Sequence, residues 1–185
     1  MSLPWRKVLR VQLDRLGLRA SVHRGGWLGR QAVLCQAEGL APGIDGVSTA
    51  LEPLLAELEQ QVDLRGASAQ VEFGDAWVTL DVVEGEFADH NERQLQAIAT
   101  ACIAELLGAA GLQHELRWQL QRDEQHLLIC AMQREALEAL TQSLQNHGVS
   151  LDSVQPHFCA TWSRQARALA DGPAVFAVVD GPGAA

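Results

Sequence analysis

Apolar residues occupy every second position in two short runs near the start of the chain, residues 8–14 and 16–22. In the first run Leu9 and Val11 alternate with polar residues, and the second run repeats the pattern. Alternation with a period of two predicts β-strands that bury one face. A third such run follows the glycine pair that begins at Gly25. The chain is therefore predicted to open as an antiparallel meander of three strands.

Helical and strand periodicities then follow one another along the chain. A stripe of leucines predicts a helix over residues 48–61, with Ser48 as its cap, and a strand follows it. The next block has the pattern strand, helix, strand, strand, and the last block has helix, strand, helix, strand. This order predicts an α/β fold with mixed sheets. We expect a discontinuous first domain, residues 1–75 plus 133–180, an inserted β-α-β-β domain, residues 76–132, and a tail, residues 181–185.

The inserted block allows a more detailed packing prediction. Its helix is predicted to begin with a reciprocal cap between Asp89 and Glu92. The strand over residues 126–132 is continuously apolar, which predicts a central strand covered on both faces. The residues expected to meet in this core are Leu95, Ile98, Cys102, Ile103 and Leu106 of the helix, and Val78, Leu80, Leu116, Trp118 and Leu120 of the strands.

The positive charge is concentrated at the start of the chain, although the 185 residues together carry a net charge of −9. Seven of the 14 basic residues lie within the first 30 positions, beside one acid, Asp14. A pI near 5.0 argues against general binding of nucleic acid. The basic start indicates an acidic partner or anionic lipid headgroups, unless these arginines only solvate the outer faces of two strands. The candidate partner contacts are Arg6, Arg10, Arg15 and, as an aromatic anchor or alternatively a core residue, Trp77.

No motif in the sequence indicates a catalytic, cofactor or metal site. The chain contains neither of the glycine-rich phosphate-binding patterns, GxxxxGK[ST] and GxGxxG. Its four cysteines are scattered, so they predict neither a disulfide framework nor a zinc ribbon, and a reducing compartment is the simplest inference. No apolar run approaches the roughly 20 residues of a membrane helix, which predicts that the chain has no direct membrane span.

The segment from Leu127 to Trp162 resembles a segment of a known family. A core strand leads into a helix and then into the pattern Gly-Val-x-Leu-x-x-Val-x-Pro, which runs from Gly148 to Pro156. This pattern and the order of elements are similar to those of actin-like ATPases of the FtsA and PilM type, MshI-like proteins and GspL cytoplasmic domains. The resemblance covers residues 8–180. It implies the N-terminal half of an RNase H/actin-like mixed sheet with an inserted β-α-β-β subdomain.

The start of the chain departs from the nucleotide-binding members of this family. In those members the first strand ends in an aspartate, followed by glycine and small hydroxyl residues that hold metal and phosphate. Here Gln12 stands at the aspartate position and Asp14 at the glycine position, with Arg15 and Leu16 after it. The second half of such a fold, with its own phosphate loop, is not expected within the chain. The resemblance therefore implies that nucleotide binding is lost and that there is no cofactor.

The function that the resemblance implies is structural. We expect a non-catalytic cytoplasmic scaffold of a bacterial type IV pilus or type II secretion assembly platform, peripheral to the inner membrane through its partners. The expected partner is an inner-membrane assembly-platform protein or an assembly ATPase. Two alternatives stay open. One is an enzyme on an RNase H-like scaffold, which needs clustered acids on the first and fourth strands, and the other is a free-standing bacterial adaptor unrelated to secretion.

A strand at the end of the chain is expected to provide a second contact surface. Residues 174–179 predict a last strand with no following element to cover it. Unpaired strands readily add another strand, so we expect a homodimer or a partner-bound form. The contact residues expected there are Val175, Phe176 and Val178.

Overall fold

Two compact units make up the protein. The structure is a computed structural model that describes residues 7–14, 17–25, 31–40 and 46–165. The first unit comprises the described residues up to Ala76 and those from Glu138 onward. The second unit is the continuous segment Trp77–Leu137.

The described part of the chain forms eight strands and four α-helices. In chain order these are β1 (Lys7–Leu13), β2 (Gly17–Gly25), β3 (Gln31–Leu40), α1 (Val47–Glu59), β4 (Ser68–Phe73), β5 (Val78–Glu84), α2 (Glu92–Leu107), β6 (His114–Leu120), β7 (His126–Gln133), α3 (Arg134–Asn146), β8 (Ser150–Pro156) and α4 (His157–Gln165). A 3₁₀-helix, Asp75–Trp77, precedes β5, and a second one, Gly108–Gln113, follows α2.

The first unit is built on a five-stranded mixed sheet with the order β3-β2-β1-β4-β8. β1, β2 and β3 pair antiparallel, so the predicted meander is confirmed. β4 pairs parallel with β1 on one side and with β8 on the other. β8 therefore returns to the sheet that the first strands began, and the predicted mixed α/β class is confirmed.

One face of this sheet is apolar and forms the core of the first unit. Leu9 and Val11 of β1 and Val71 and Phe73 of β4 are fully buried on it. α1 approaches this sheet closely at β3, where a Cβ added to Gly39 would lie 2.6 Å from a side-chain atom of α1. The buried helical residues described in this unit are Val47, Leu51, Leu54, Leu55 and Leu58 of α1, Leu140, Ser143 and Leu144 of α3, and Ala160 of α4.

The predicted cap of α1 is wrong. Gly46 is the N-cap residue, and no side chain hydrogen-bonds to the first turn from that position. Ser48 lies inside the helix, and its hydroxyl is 2.9 Å from the hydroxyl of Ser143 in α3. The serine therefore joins two helices instead of starting one.

The second unit is a three-stranded antiparallel sheet with the order β5-β7-β6, and α2 covers one of its faces. β7 is the central strand, as predicted. The buried cluster between α2 and the sheet consists of Phe87, Leu95, Ala99, Ile103, Leu127, Ile129 and Ala131. Leu116, Trp118 and Leu120 of β6 pack against this cluster, which agrees with the packing predicted for that strand.

Two other packing predictions for this unit are wrong. β7 alternates, with Ile129 fully buried and its neighbours Leu128 and Cys130 only half-buried, because α2 covers one face of the sheet. Leu80 pairs with Cys130, and Val78 lies on the same face as Leu80, so these β5 residues lie on the face away from α2. The continuous apolar run of β7 therefore does not mark a strand covered on both faces.

α2 begins with a reciprocal cap, but not between the predicted residues. The side chain of Asn91 accepts a hydrogen bond from the Gln94 amide at 3.1 Å, and the side chain of Gln94 accepts one from the Asn91 amide at 2.9 Å. The helix ends at Gly108, whose φ of 59° lies in the left-handed region that glycine adopts without steric cost. The type of cap was predictable, whereas the predicted pair Asp89–Glu92 is wrong.

Leu106, which was predicted to be part of the buried stripe, is 55% exposed. The buried residues of α2 follow steps of four, through Leu95, Ala99 and Ile103, and Leu107 continues this line as a half-buried contact. Leu106 ends the neighbouring line, whose earlier members Ile98 and Cys102 do pack against the cluster, while Leu106 itself is exposed.

The continuous helical stretch Glu92–Gln113 is long and apolar enough to cross a membrane, by length and composition alone. It has 22 residues, and its most apolar window has a mean hydropathy of 1.6 with 17% of that window buried. The expectation that no such stretch exists is therefore wrong. One stretch of this kind is weak evidence for a membrane span, and here Leu95, Ala99 and Ile103 pack on a sheet.

Candidate functional site

A row of polar residues crosses the second face of the five-stranded sheet from one edge to the other. Residues that pair across neighbouring strands point to the same face of a sheet. The strand register therefore identifies the residues that lie on this second face. Arg10 lies between Ser21 of β2 and Gln70 of β4, and Gln12 lies between Arg19 and Glu72. The row extends outward through Gln36 and Glu38 of β3 and through Ser153 and Gln155 of β8.

A cavity with a volume of about 230 Å³ opens on this polar face. Its lining residues come from β1, β2, β4 and α4. The lining residues are Arg10, Val11, Gln12, Arg19, Ser21, His23, Gln70, Glu72 and Arg164. We call this the polar-face cavity.

Glu72 is the most heavily bonded side chain of the cavity. Its carboxylate accepts a hydrogen bond from Arg164 Nη1 at 2.7 Å and one from Gln12 Nε2 at 3.3 Å. His157 Nδ1, at the start of α4, lies 3.3 Å from the same carboxylate. Burial raises the pKa of Glu72, but the hydrogen bonds from Arg164 and Gln12 and the charge of Arg164 outweigh it, so the pKa is lowered overall. The Glu72 carboxylate is therefore ionised and neutralised by its own neighbours.

His23 and Arg10 also line the cavity. His23 is 9% exposed, and its Nε2 lies 2.8 Å from the hydroxyl of Ser21. Burial and the charge of Arg10 lower the pKa of His23, so the imidazole is neutral at neutral pH. Of these two side chains, Arg10 is therefore the one that carries a positive charge.

The turn between β1 and β2 is closed by Asp14. Its carboxylate accepts a hydrogen bond from the Gly17 amide at 2.7 Å, and its own amide donates to the Gly17 carbonyl at 3.0 Å. A phosphate held at such a turn needs backbone amides as donors. Here the amide of Gly17 already has an anionic partner, the Asp14 carboxylate.

Of the residues predicted as partner contacts, the structure places Arg10 in the polar-face cavity and Trp77 elsewhere. Trp77 is half-buried in the 3₁₀-helix before β5 and does not line the cavity. The other predicted contacts, Arg6, Arg15, Val175, Phe176 and Val178, lie outside the described residues.

Sequence reasoning missed most of the cavity. The alternation of β1 and β2 put Arg10, Gln12, Arg19 and Ser21 on outer faces, and this was the available signal for a shared surface. Glu72 and Arg164 come from a parallel strand and from a helix far along the chain, and no local pattern connects them to β1.

The remaining reactive groups do not converge. All four cysteines lie in the described part, and no disulfide bond joins any two of them. Burial raises the pKa of Cys35, and burial, followed by the charges of Asp81 and Glu105, raises the pKa of Cys102. Within residues 7–14, 17–25, 31–40 and 46–165, no group of three or more histidine, cysteine or acidic side chains is arranged to hold a metal ion.

Comparison with solved structures identifies the fold. The cytoplasmic domain of EpsL, an inner-membrane component of the type II secretion system of Vibrio cholerae, superposes with a TM-score of 0.59 at 16% identity. The match covers 81% of this chain and 57% of the EpsL chain. The chain has the actin-like fold of this domain. The predicted fold class and its resemblance to GspL and PilM domains are therefore confirmed.

Two further solved structures match over most of the chain. A chain of the PilM–PilN type IV pilus biogenesis complex has a TM-score of 0.58 at 14% identity, with 89% of this chain and 52% of that chain covered. A Bacteroides thetaiotaomicron protein of actin-like ATPase fold and unknown function has a TM-score of 0.49 at 8% identity, with coverages of 91% and 60%. The chain thus spans little more than half the length of the structures it matches. No family model matches the sequence, and no curated protein does.

Proposed function

We propose that this chain is a non-catalytic scaffold of a bacterial type IV pilus or type II secretion assembly platform, and that it works at the cytoplasmic side of the inner membrane. The fold it shares with the EpsL cytoplasmic domain and with a chain of the PilM–PilN complex supports the setting. In this proposal its partner is an inner-membrane platform protein or an assembly ATPase.

The observation that carries the non-catalytic part of the proposal is the bonding of Asp14 and Gly17. A nucleotide bound at the β1–β2 turn would have to displace the Asp14 carboxylate from the Gly17 amide and then lie against that charge. Gln12 adds a second argument, because its amide side chain cannot supply the carboxylate that would hold a metal-bound water. Gln12 instead donates to Glu72, the acid of the neighbouring strand.

The enzyme alternative needs clustered acids on the first and fourth strands. On the polar face β4 contributes Glu72, but its neighbour on β1 is Gln12, and Arg164 binds the carboxylate. A carboxylate that is already paired with an arginine is a poor ligand for a catalytic cation. These contacts favour the scaffold over the enzyme, whereas nothing in them separates it from a free-standing adaptor.

Nucleotide binding is tested by calorimetric titration of the full chain with Mg-ATP. We expect no heat of binding, because the β1–β2 turn offers a carboxylate where phosphate needs donors. The variant Asp14→Gly removes that carboxylate and serves as the comparison. Micromolar binding of Mg-ATP by the unchanged chain would contradict the proposed loss of nucleotide binding.

The assembly-platform role is tested in the native host by affinity capture of the tagged chain, with the captured proteins identified by mass spectrometry. We expect a platform protein or an assembly ATPase of a pilus or secretion system, and deletion of the gene should reduce secretion or piliation. A deletion strain that secretes and pilates normally, with no such protein captured, would show that the chain is an adaptor of another kind.

The homodimer that the sequence leads us to expect remains a proposal. Light scattering over a concentration series of the chain tests it.

A further inference from the structure

We propose that the polar-face cavity binds the carboxylate side chain of an acidic peptide segment, with Arg10 as the residue that receives the carboxylate. The peptide is taken to belong to the protein partner, and in this respect the inference rests on the proposed function. The assignment of the site itself rests on the side chains that line the cavity.

Among the described residues that line the cavity, Arg10 is the cation that has no acidic partner within the described ranges. Arg19 Nε is 2.8 Å from Glu38, and Arg164 is bonded to Glu72. The guanidinium of Arg10, in contrast, forms no ion pair and no hydrogen bond with another side chain in the described ranges. Its cross-strand neighbours are the neutral side chains of Ser21 and Gln70. Its charge and its planar set of donors are therefore available to an incoming anion.

The surroundings of Arg10 favour a carboxylate over a phosphate. Glu72 and Arg164 form an ion pair in the same cavity, so Arg10 contributes a single net positive charge, which balances a monoanion but not a dianion. Phosphate sites also draw on free backbone amides, whereas the β1 backbone under the cavity is paired with β2 on one side and β4 on the other. The remaining hydrogen-bond donors are therefore side chains. The guanidinium of Arg10 and the hydroxyl of Ser21 are sufficient to bind a carboxylate.

The size and the rim of the cavity favour a side chain of a peptide over a free small molecule. Its volume of about 230 Å³ is below the range of about 300–1,000 Å³ of small-molecule pockets. Arg10 and Arg19 are exposed at its rim, and the amides of Gln12 and Gln70 can hydrogen-bond to a peptide backbone lying across the strands. The net charge of −9 opposes the approach of an acidic peptide, so the binding of such a peptide has to depend on local cations such as Arg10.

The experiment uses the full chain and a fluorescein-labelled hexaglutamate peptide, with hexaglutamine as the neutral control, and measures fluorescence polarisation. Arg10→Gln removes the proposed contact, and Arg10→Lys keeps the charge but loses the planar fork. Arg93→Gln is the matched control, because Arg93 is an exposed arginine on α2 outside the cavity. Thermal melts of all variants verify that they are folded.

We expect hexaglutamate to bind the unchanged chain, Arg10→Gln to weaken binding by about tenfold or more, and Arg93→Gln by less than about twofold. The affinity of the Arg10→Lys variant for hexaglutamate should lie between the affinities of these two variants. Inorganic phosphate at constant ionic strength should not displace the peptide. No binding by the unchanged chain, equal weakening by Arg10→Gln and Arg93→Gln, or displacement by phosphate would each overturn the proposal.

The peptide-binding experiment and the capture experiment that tests the proposed function can fail independently of each other. If the Arg10→Gln chain captures the same platform protein from the host as the unchanged chain, the scaffold role stands and the cavity is not the contact. If hexaglutamate binding depends on Arg10 but no platform protein is captured, the site stands and the proposed role fails.

Discussion

His147 is held between two carboxylates at the end of α3. Its Nε2 lies 2.9 Å from Glu52 and its Nδ1 lies 3.0 Å from Glu59, both of α1. A neutral imidazole carries one N–H and can donate to only one of them, so this geometry requires the protonated ring. Burial alone would lower the pKa of His147, but the hydrogen bonds and charges of Glu52 and Glu59 raise it overall.

The free energy of unfolding is predicted to depend on pH through this histidine. Because the pKa of His147 is raised in the folded chain, its contribution is complete below the unfolded pKa of about 6.5 and is lost as the pH rises through the folded pKa. The two carboxylates are about one-third exposed, so solvent screening limits the effect to about 1 kcal/mol. Urea unfolding at pH 5.5 and pH 8 measures it.

The variant His147→Gln serves as the control for this pH effect. Between pH 5.5 and pH 8, the free energy of unfolding of this variant should fall by less than that of the unchanged chain. An equal loss in both chains would show that other groups, and not His147, carry the pH dependence.

At the scale of the element, α2 offers a matched pair of substitutions. Ile103 is 2% exposed in the core of the second unit, whereas Leu106, three residues later on the same helix, is 55% exposed. Ile103→Ala should lower the free energy of unfolding by about 2–5 kcal/mol, because it leaves a cavity between helix and sheet. Leu106→Ala should change it by less than about 0.5 kcal/mol. Unfolding of the two variants in guanidinium measures the difference. Similar losses in the free energy of unfolding would mean that α2 is rotated on the sheet.

The sequence predicted strands more completely than it predicted helix contacts. In β1 and β2 the alternation of side chains fixes which residues share a face, and Arg10 and Ser21 are indeed neighbours on one face. For α2 the composition is apolar on more than one side, so periodicity alone could not decide between Leu106 and Leu107. The site was less predictable still, because Glu72 reaches Gln12 through the parallel pairing of β4 with β1.

At the scale of the whole molecule, the two units are predicted to respond separately to a core substitution. The buried cluster around Ile103 is built from residues of the second unit. Hydrogen exchange of the Ile103→Ala chain should therefore show faster exchange in β5, β6 and β7, while the amides of β1, β2 and β4 keep their protection. Leu58→Ala, at a fully buried position of α1, is the reciprocal control and should affect the first unit. Uniform loss of protection from either variant would mean that the chain unfolds as one cooperative body.

The parallel pairing of β4 with β8 also determines how late in synthesis the five-stranded sheet can be completed. Ser68 pairs with Ser150, so the entire segment Trp77–Leu137 must leave the ribosome before β4 can acquire its second neighbour. The strands of that segment pair among themselves, whereas β4 presents an open hydrogen-bonding edge next to fully buried residues such as Val71 until β8 emerges. We therefore expect the nascent chain to expose this edge to aggregation during the interval between the synthesis of β4 and that of β8.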